Sequence, residues 1–192
     1  MGQRLVATIH VNGRDIAKIY YHWSAYSYSA LIEARDIIDS LPDEPMSNKD
    51  LILHLIRFCE NHGGGISGGE GSSEWQFITA LYPNETFKPN PNRSYGLIGI
   101  SELEMADIQN WSEGDITIDI DDGIVYNTVY FWYRTDEEYY HDMEIDENEV
   151  LDIPQIDFDL GEIPFEDLDS VIDELPEDVC RDKEGNICQM IC

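Results

Sequence analysis

Apolar and polar residues alternate from Gln3 to Val11 and again from Arg14 to Trp23, with Asn12-Gly13 between the two runs. Alternation marks a strand with one buried face, and Asn-Gly suits a two-residue turn, so the chain is expected to open on a β-hairpin. After the link Ser24-Ala25-Tyr26-Ser27-Tyr28 the period changes. Leu31, Ile32, Ala34, Ile37, Ile38 and Leu41 recur at helical spacing, with Ser29 placed to cap the helix and Leu41-Pro42 to stop it. Ser47 and Asp50 signal a second helix start. Leu51, Leu53, Leu55, Ile56 and Cys59 supply its buried side, and it should run from about Asn48 to Asn61.

From Gly63 to Gly71 the chain holds six glycines in nine residues, which reads as a mobile loop or a place of close backbone approach. Periodicity does not assign the apolar run Trp75 to Tyr82, and the stretch from Pro83 to Asn92 is turn-like. Tyr95 to Ile100 reads as a strand, and Ser101 with Glu104 as a capping box for a short helix reaching about Trp111. Asp115 to Asp121 then alternates acid or threonine with Ile116, Ile118 and Ile120. Asp122-Gly123 turns the chain, and Ile124 to Tyr133 returns as an aromatic-rich strand. The sum is an α+β fold: a small antiparallel or mixed sheet with two hairpins and two to three helices over residues 1–134, then an acidic C-terminal arm or subdomain over 135–192.

Charge changes the picture after Arg134. No lysine or arginine occurs between Arg134 and Arg181, and nineteen acids do. The whole chain has 40 acids against 11 bases and a formal net charge of -29. Such a surplus repels nucleic acid and favours a basic partner, above all one built to hold nucleic acid. A hydrophobic content of 42% with 11% aromatics is too high for a wholly disordered polyanion, so a core is expected. No apolar run is long enough to span a membrane and no secretory block opens the chain, which points to the cytoplasm.

Candidate chemistry is sparse. A phosphate loop needs a lysine after its glycines, and the next base after Gly71 is Lys88. Asp119, Asp121 and Asp122 before Gly123 resemble a calcium loop, but Ile118 and Ile120 stand where oxygen ligands are required. His10, His22, His54, His62 and His141 are scattered, and His22 near Ser24 and Ser27 lacks both an orienting acid and a strained nucleophile turn. Cys59, Cys180, Cys188 and Cys192 match no usual zinc spacing, so free thiols are expected, with zinc or a disulfide as alternatives. The chain is therefore read as a non-enzyme without a cofactor. A metal-dependent hydrolase using Asp119 and Asp121 is a distant alternative.

The candidate partner-binding residues follow from the acids. Asp115, Asp119 and Asp121 can line one strand face, with carboxylates about 6.6 to 6.8 Å apart at alternate positions. The arm adds Asp136, Glu137, Glu138, Asp142, Glu144, Asp146, Glu147 and Glu149, then Asp157, Asp159, Glu162, Glu166, Asp167 and Asp169. Phe158 and Phe165, interspersed among them, would supply apolar anchors that a plain polyanion lacks. Tyrosines beside acids, as in Tyr126 to Tyr140, suit an arginine-rich partner.

Gly2-Gln3-Arg4-Leu5-Val6 together with Tyr20-Tyr21-His22-Trp23-Ser24-Ala25-Tyr26 resembles the start of small acidic proteins encoded by bacteriophages of low-GC Gram-positive hosts. The resemblance covers roughly the first forty residues and carries no catalytic motif. In overall character the chain is similar to DNA-mimic anti-defence proteins, the anti-CRISPR and anti-restriction inhibitors. That resemblance implies an inhibitor in the host cytoplasm, monomeric or dimeric. It would occupy the nucleic-acid groove of a basic host defence nuclease and bind neither nucleic acid nor membrane itself. The alternative is a phage structural or assembly protein that docks through its acidic arm.

Overall fold

The computed structural model describes residues 4–25, 27–42, 44–89, 96–129, 132–133, 161–174, 179–181 and 187–189. The opening hairpin forms as its pattern predicts: β1 (Leu5–Val11) pairs antiparallel with β2 (Arg14–Tyr21). Asn12 and Gly13 both take left-handed backbone, φ 53° and 70°, the combination of a two-residue turn whose twist matches the strands. A register shift between Ile9 and His10 places a bulge near the hairpin tip and sets His10 opposite Asp15.

Two helices follow, α1 (Ser27–Ser40) and α2 (Asn48–Asn61). Ser47 caps α2 by accepting from the Asp50 amide at 3.2 Å, while its hydroxyl donates to Asp50 Oδ2 at 2.6 Å. The glycine-rich stretch is built into the sheet instead of forming a free loop. Gly65–Ile66 is strand β3, parallel to β4 (Leu97–Gly99), and the Ser67 amide donates to the Ile98 carbonyl at 2.9 Å. Gly63, Gly68, Gly69 and Gly71 have φ between 73° and 87°, a backbone that L side chains resist, and this accounts for the glycines. The unassigned apolar run is helical: α3 (Ser73–Leu81) starts at Ser72, whose hydroxyl accepts from the Trp75 amide at 3.0 Å.

After α4 (Glu102–Gln109), the second hairpin pairs β5 (Gly114–Asp119) with β6 (Ile124–Asn127). The return strand is shorter than its aromatic run suggests. Trp132–Tyr133 forms a separate strand, β7. Further along, β8 (Glu162–Pro164) leads through a 3-10 turn at Phe165–Asp167 into α5 (Leu168–Glu174), and two short strands follow, β9 (Val179–Arg181) and β10 (Ile187–Gln189).

The fold is thus mixed α+β, and its main sheet is larger than the expected small one. Seven strands run in the order β3-β4-β2-β1-β5-β6-β8, and a second sheet has the order β10-β9-β7. The centre of the main sheet is a parallel pair, β1 beside β5, which no local pattern announced. One face of this sheet carries Leu5, Ala7, Ile9, Ile19, Ile98, Ile116, Ile118 and Val125, buried against α1 and α2. Leu5, Ile9, Ile19 and Ile116 are fully enclosed, and each such side chain contributes about 2 kcal/mol on burial.

Residues 161–174 belong to this same core, on the arm side of the boundary expected at residue 134. Ile163 is buried opposite Val125, and Leu168, Val171 and Ile172 pack on the α1 side. Among the described residues, no helix is long and apolar enough to cross a membrane.

Candidate functional site

The other face of the main sheet is only partly covered. α4 lies over its β2–β4 end, where Ile108 packs with Val6, Tyr20 and Leu97. Beyond α4 this face is open among the described residues, with Asp15 and Glu162 exposed and Asp115, Thr117 and Asp119 half-buried, and strand register fixes which side chains share it. Asp115, Thr117 and Asp119 of β5 stand beside Val6, Thr8 and His10 of β1. Lys18 and Asp15 of β2 extend the rows on one side. Tyr126 of β6 and Glu162 of β8 extend them on the other. Asp115 and Asp119, four residues apart, are spaced by about 13 Å along their strand.

Lys18 stands among these acids. Its ammonium donates to Thr8 Oγ1 at 2.8 Å and to Gln109 Oε1 at 2.7 Å, and lies 3.9 Å from Asp15 Oδ2. Gln109 in turn donates to Asp115 Oδ1 at 2.8 Å, so one network ties α4 to three strands. His10 Nδ1 sits 2.8 Å from Asp15 Oδ1. That hydrogen bond raises the histidine above its ordinary value, against the opposing effect of burial, with Asp119, Asp15 and Asp121 adding in the same direction. The Tyr126 hydroxyl is also raised, first by desolvation and then by the charges of Glu162, Asp122 and Asp119.

The expected acidic row is only partly free. Asp115 and Asp119 share the open face, but Asp119 Oδ1 also accepts the amides of Asp121 at 3.0 Å and Asp122 at 3.1 Å, closing the turn. Asp121 lies beyond the strand, and its Oδ2 accepts the Asn12 amide at 2.5 Å. Asp121 therefore joins the two hairpin tips instead of extending the row. Glu162 is exposed on the open face. Glu166, Asp167 and Asp169 are exposed around α5, which packs against α1, so they belong to the helical layer on the opposite side. Phe165 is half-buried against the core and anchors that layer. Asp136, Glu137, Glu138, Asp142, Glu144, Asp146, Glu147, Glu149, Asp157, Phe158 and Asp159 lie outside the described residues.

The bases show the same asymmetry. Arg4 pairs with Glu113 at 2.9 Å, and this contact holds the Glu113 carboxyl below its usual range. Arg57 reaches Glu60 and Glu85, each at 2.7 Å, and stacks 4.9 Å from the Phe87 ring centroid. Arg35 pairs with Asp36 at 3.3 Å. Lys49 lies over the Tyr82 ring, whose hydroxyl is pushed up to about 12 chiefly by burial. By contrast, the exposed acids Asp122, Glu162, Glu166, Asp167, Asp169, Asp173 and Glu174 form no ion pair among the described residues.

At the β3–β4 edge is a cavity of about 400 Å³ that the sequence reading missed, lined by Ser67–Glu70, Pro89, Leu97 and Trp111. Ser67 is fully buried, and its hydroxyl has no hydrogen-bond partner. The one available signal was a serine set among glycines, which need for their backbone angles would explain equally well. Among the described residues, no three His, Cys, Asp or Glu side chains converge as metal ligands. No protein-family model matches this chain, and neither does any curated protein or solved structure.

Proposed function

We propose that this protein is a non-enzymatic acidic inhibitor, a DNA mimic that binds a basic nucleic-acid-binding protein such as a CRISPR or restriction nuclease and blocks its nucleic-acid groove. One observation carries the reading. Among the described residues, Arg4, Arg35 and Arg57 pair with carboxylates of this protein and Lys18 lies 3.9 Å from Asp15, while the exposed carboxylates Glu162 on the sheet face and Glu166, Asp167, Asp169, Asp173 and Glu174 around α5 form no ion pair. A net charge of -29 left unneutralised from within attracts an external cation of matching extent. Lys18, held by Thr8 and Gln109, is one positive charge on the sheet face against Asp15, Asp115, Asp119 and Glu162.

The test is cleavage inhibition across purified CRISPR and restriction nucleases, using two triple variants with equal change in net charge. One neutralises the open face (Asp115→Asn, Asp119→Asn, Glu162→Gln) and the other α5 (Asp169→Asn, Asp173→Asn, Glu174→Gln). Inhibition that weakens steeply with salt and is lost mainly in the open-face variant is expected. If both triples behave alike, or no nuclease is inhibited, the acidity serves only solubility and the reading fails.

A further inference from the structure

The cavity at the β3–β4 edge has the chemistry of a cation site with a flat shape. Its walls differ in kind. Trp111 is 37% exposed, and its ring meets Tyr20 edge-on at 5.3 Å. Tyr20 continues to His22 at 6.1 Å and His22 to Trp23 at 4.8 Å, a chain of ring contacts that passes through the buried Tyr20. The glycine turn also lines the cavity, with Glu70, an exposed carboxylate that has no ion pair among the described residues. Ser67 also lines the cavity, and its buried hydroxyl is unpartnered.

The turn is pre-formed rather than shaped by a ligand. The Gly69 amide donates to the Ile66 carbonyl and the Ser72 amide to the Gly69 carbonyl, each at 3.2 Å. Glu74, in the first turn of α3, is not available to a ligand. Its Oε1 accepts the Ile100 amide at 2.5 Å and the Ser101 amide at 3.1 Å, and its Oε2 accepts the Ser101 hydroxyl. Among the described residues, no lysine or arginine lines the cavity.

An anion is disfavoured by Glu70 and by the charge of the whole chain. A compact ammonium would satisfy Glu70 but leave the indole face unused. A guanidinium suits Trp111 and Glu70, two exposed side chains that line the cavity: it is planar, stacks on indole, and offers five donors and no acceptor to a carboxylate. We propose that this cavity receives an arginine side chain of the protein's partner, with the guanidinium stacked on Trp111 and paired with Glu70. Leu97, which lines the cavity, is the register partner of Tyr20 and shares its face, so such an arginine would come from the same partner that covers the open sheet. The inference rests on the inhibitor reading for the identity of the partner, but the site itself can be probed alone.

The probe is agmatine, followed by calorimetry and by backbone amide shifts of Gly68, Gly69 and Glu70 in the full chain. Saturable binding is expected, with shifts confined to the cavity. Glu70→Gln and Trp111→Leu, both at exposed positions, should each weaken it roughly tenfold. Cadaverine, an amine of similar length, should bind several-fold more weakly, and adenosine should not bind. Absence of saturable agmatine binding, equal binding of cadaverine, or binding of adenosine in its place overturns the proposal. A protein that inhibits a nuclease yet ignores agmatine refutes the arginine site alone; one that binds agmatine yet inhibits nothing refutes the inhibitor reading alone.

Discussion

Single carboxylates in this protein differ sharply in what they do. Glu74 is buried and holds three donors, two amides and the Ser101 hydroxyl, which together lock α3 to the start of α4. Glu74→Ala leaves all three without an acceptor, and urea denaturation should show a loss on the order of 3 kcal/mol. Asp15 instead acts on a neighbour's proton. Its hydrogen bond is the largest cause of the raised pKa of His10, so an NMR titration should place the His10 midpoint above 6.5, and Asp15→Asn should bring it back down. Because the folded value is raised, the stability this histidine adds is complete below about pH 6.5 and is lost as pH rises through the folded midpoint. Neither role shows in the sequence, where both residues are simply two of many acids. Burial and pairing are settled by which strands meet, as when the bulge near His10 brings Asp15 opposite it.

Elements were legible where their signals are local. The Asn12-Gly13 turn and the Ser47 cap each decide their structure within four residues, and the first hairpin and α2 follow them closely. The strand in the glycine run was not legible, since Gly65–Ile66 has no strand pattern of its own and exists only because Leu97 and Ile98 lie alongside. The same holds for the β1–β5 parallel pair and for β8, whose partners are distant in the chain. The open face was half legible: alternation in β5 correctly set Asp115 and Asp119 on one side, but nothing local shows that Asp121 turns to Asn12. Close packing of one element on another carries its own prediction. A Cβ on Gly99 would lie 2.7 Å from Glu104 Cγ and 2.8 Å from Ile108 Cδ1, so Gly99→Ala should push α4 off β4. The expected cost is about 1–3 kcal/mol in denaturant midpoint analysis, with amide shifts centred on α4.

At the scale of the whole molecule, self-repulsion is the largest unbalanced force. With a net charge of -29 and few ion pairs among the described residues, added salt should stabilise the fold by screening like charges. The midpoint of thermal unfolding is therefore expected to rise steadily between low and moderate sodium chloride; a midpoint that falls would show that the internal pairs outweigh the repulsion. The edge strand β8 has a further consequence. The Asn127 amide donates to the Gly161 carbonyl at 3.0 Å, so the chain leaves the sheet after β6 and returns to the same spot before β8. The described residues that flank the segment between are thus held together by a backbone hydrogen bond. Truncation after residue 134 would not isolate a domain, because it strips Ile163 from beside Val125 and Leu168, Val171 and Ile172 from beside α1. A protease nick inside the segment should leave the two pieces joined as one particle in size-exclusion chromatography, and the separately expressed halves should reconstitute each other by fragment complementation.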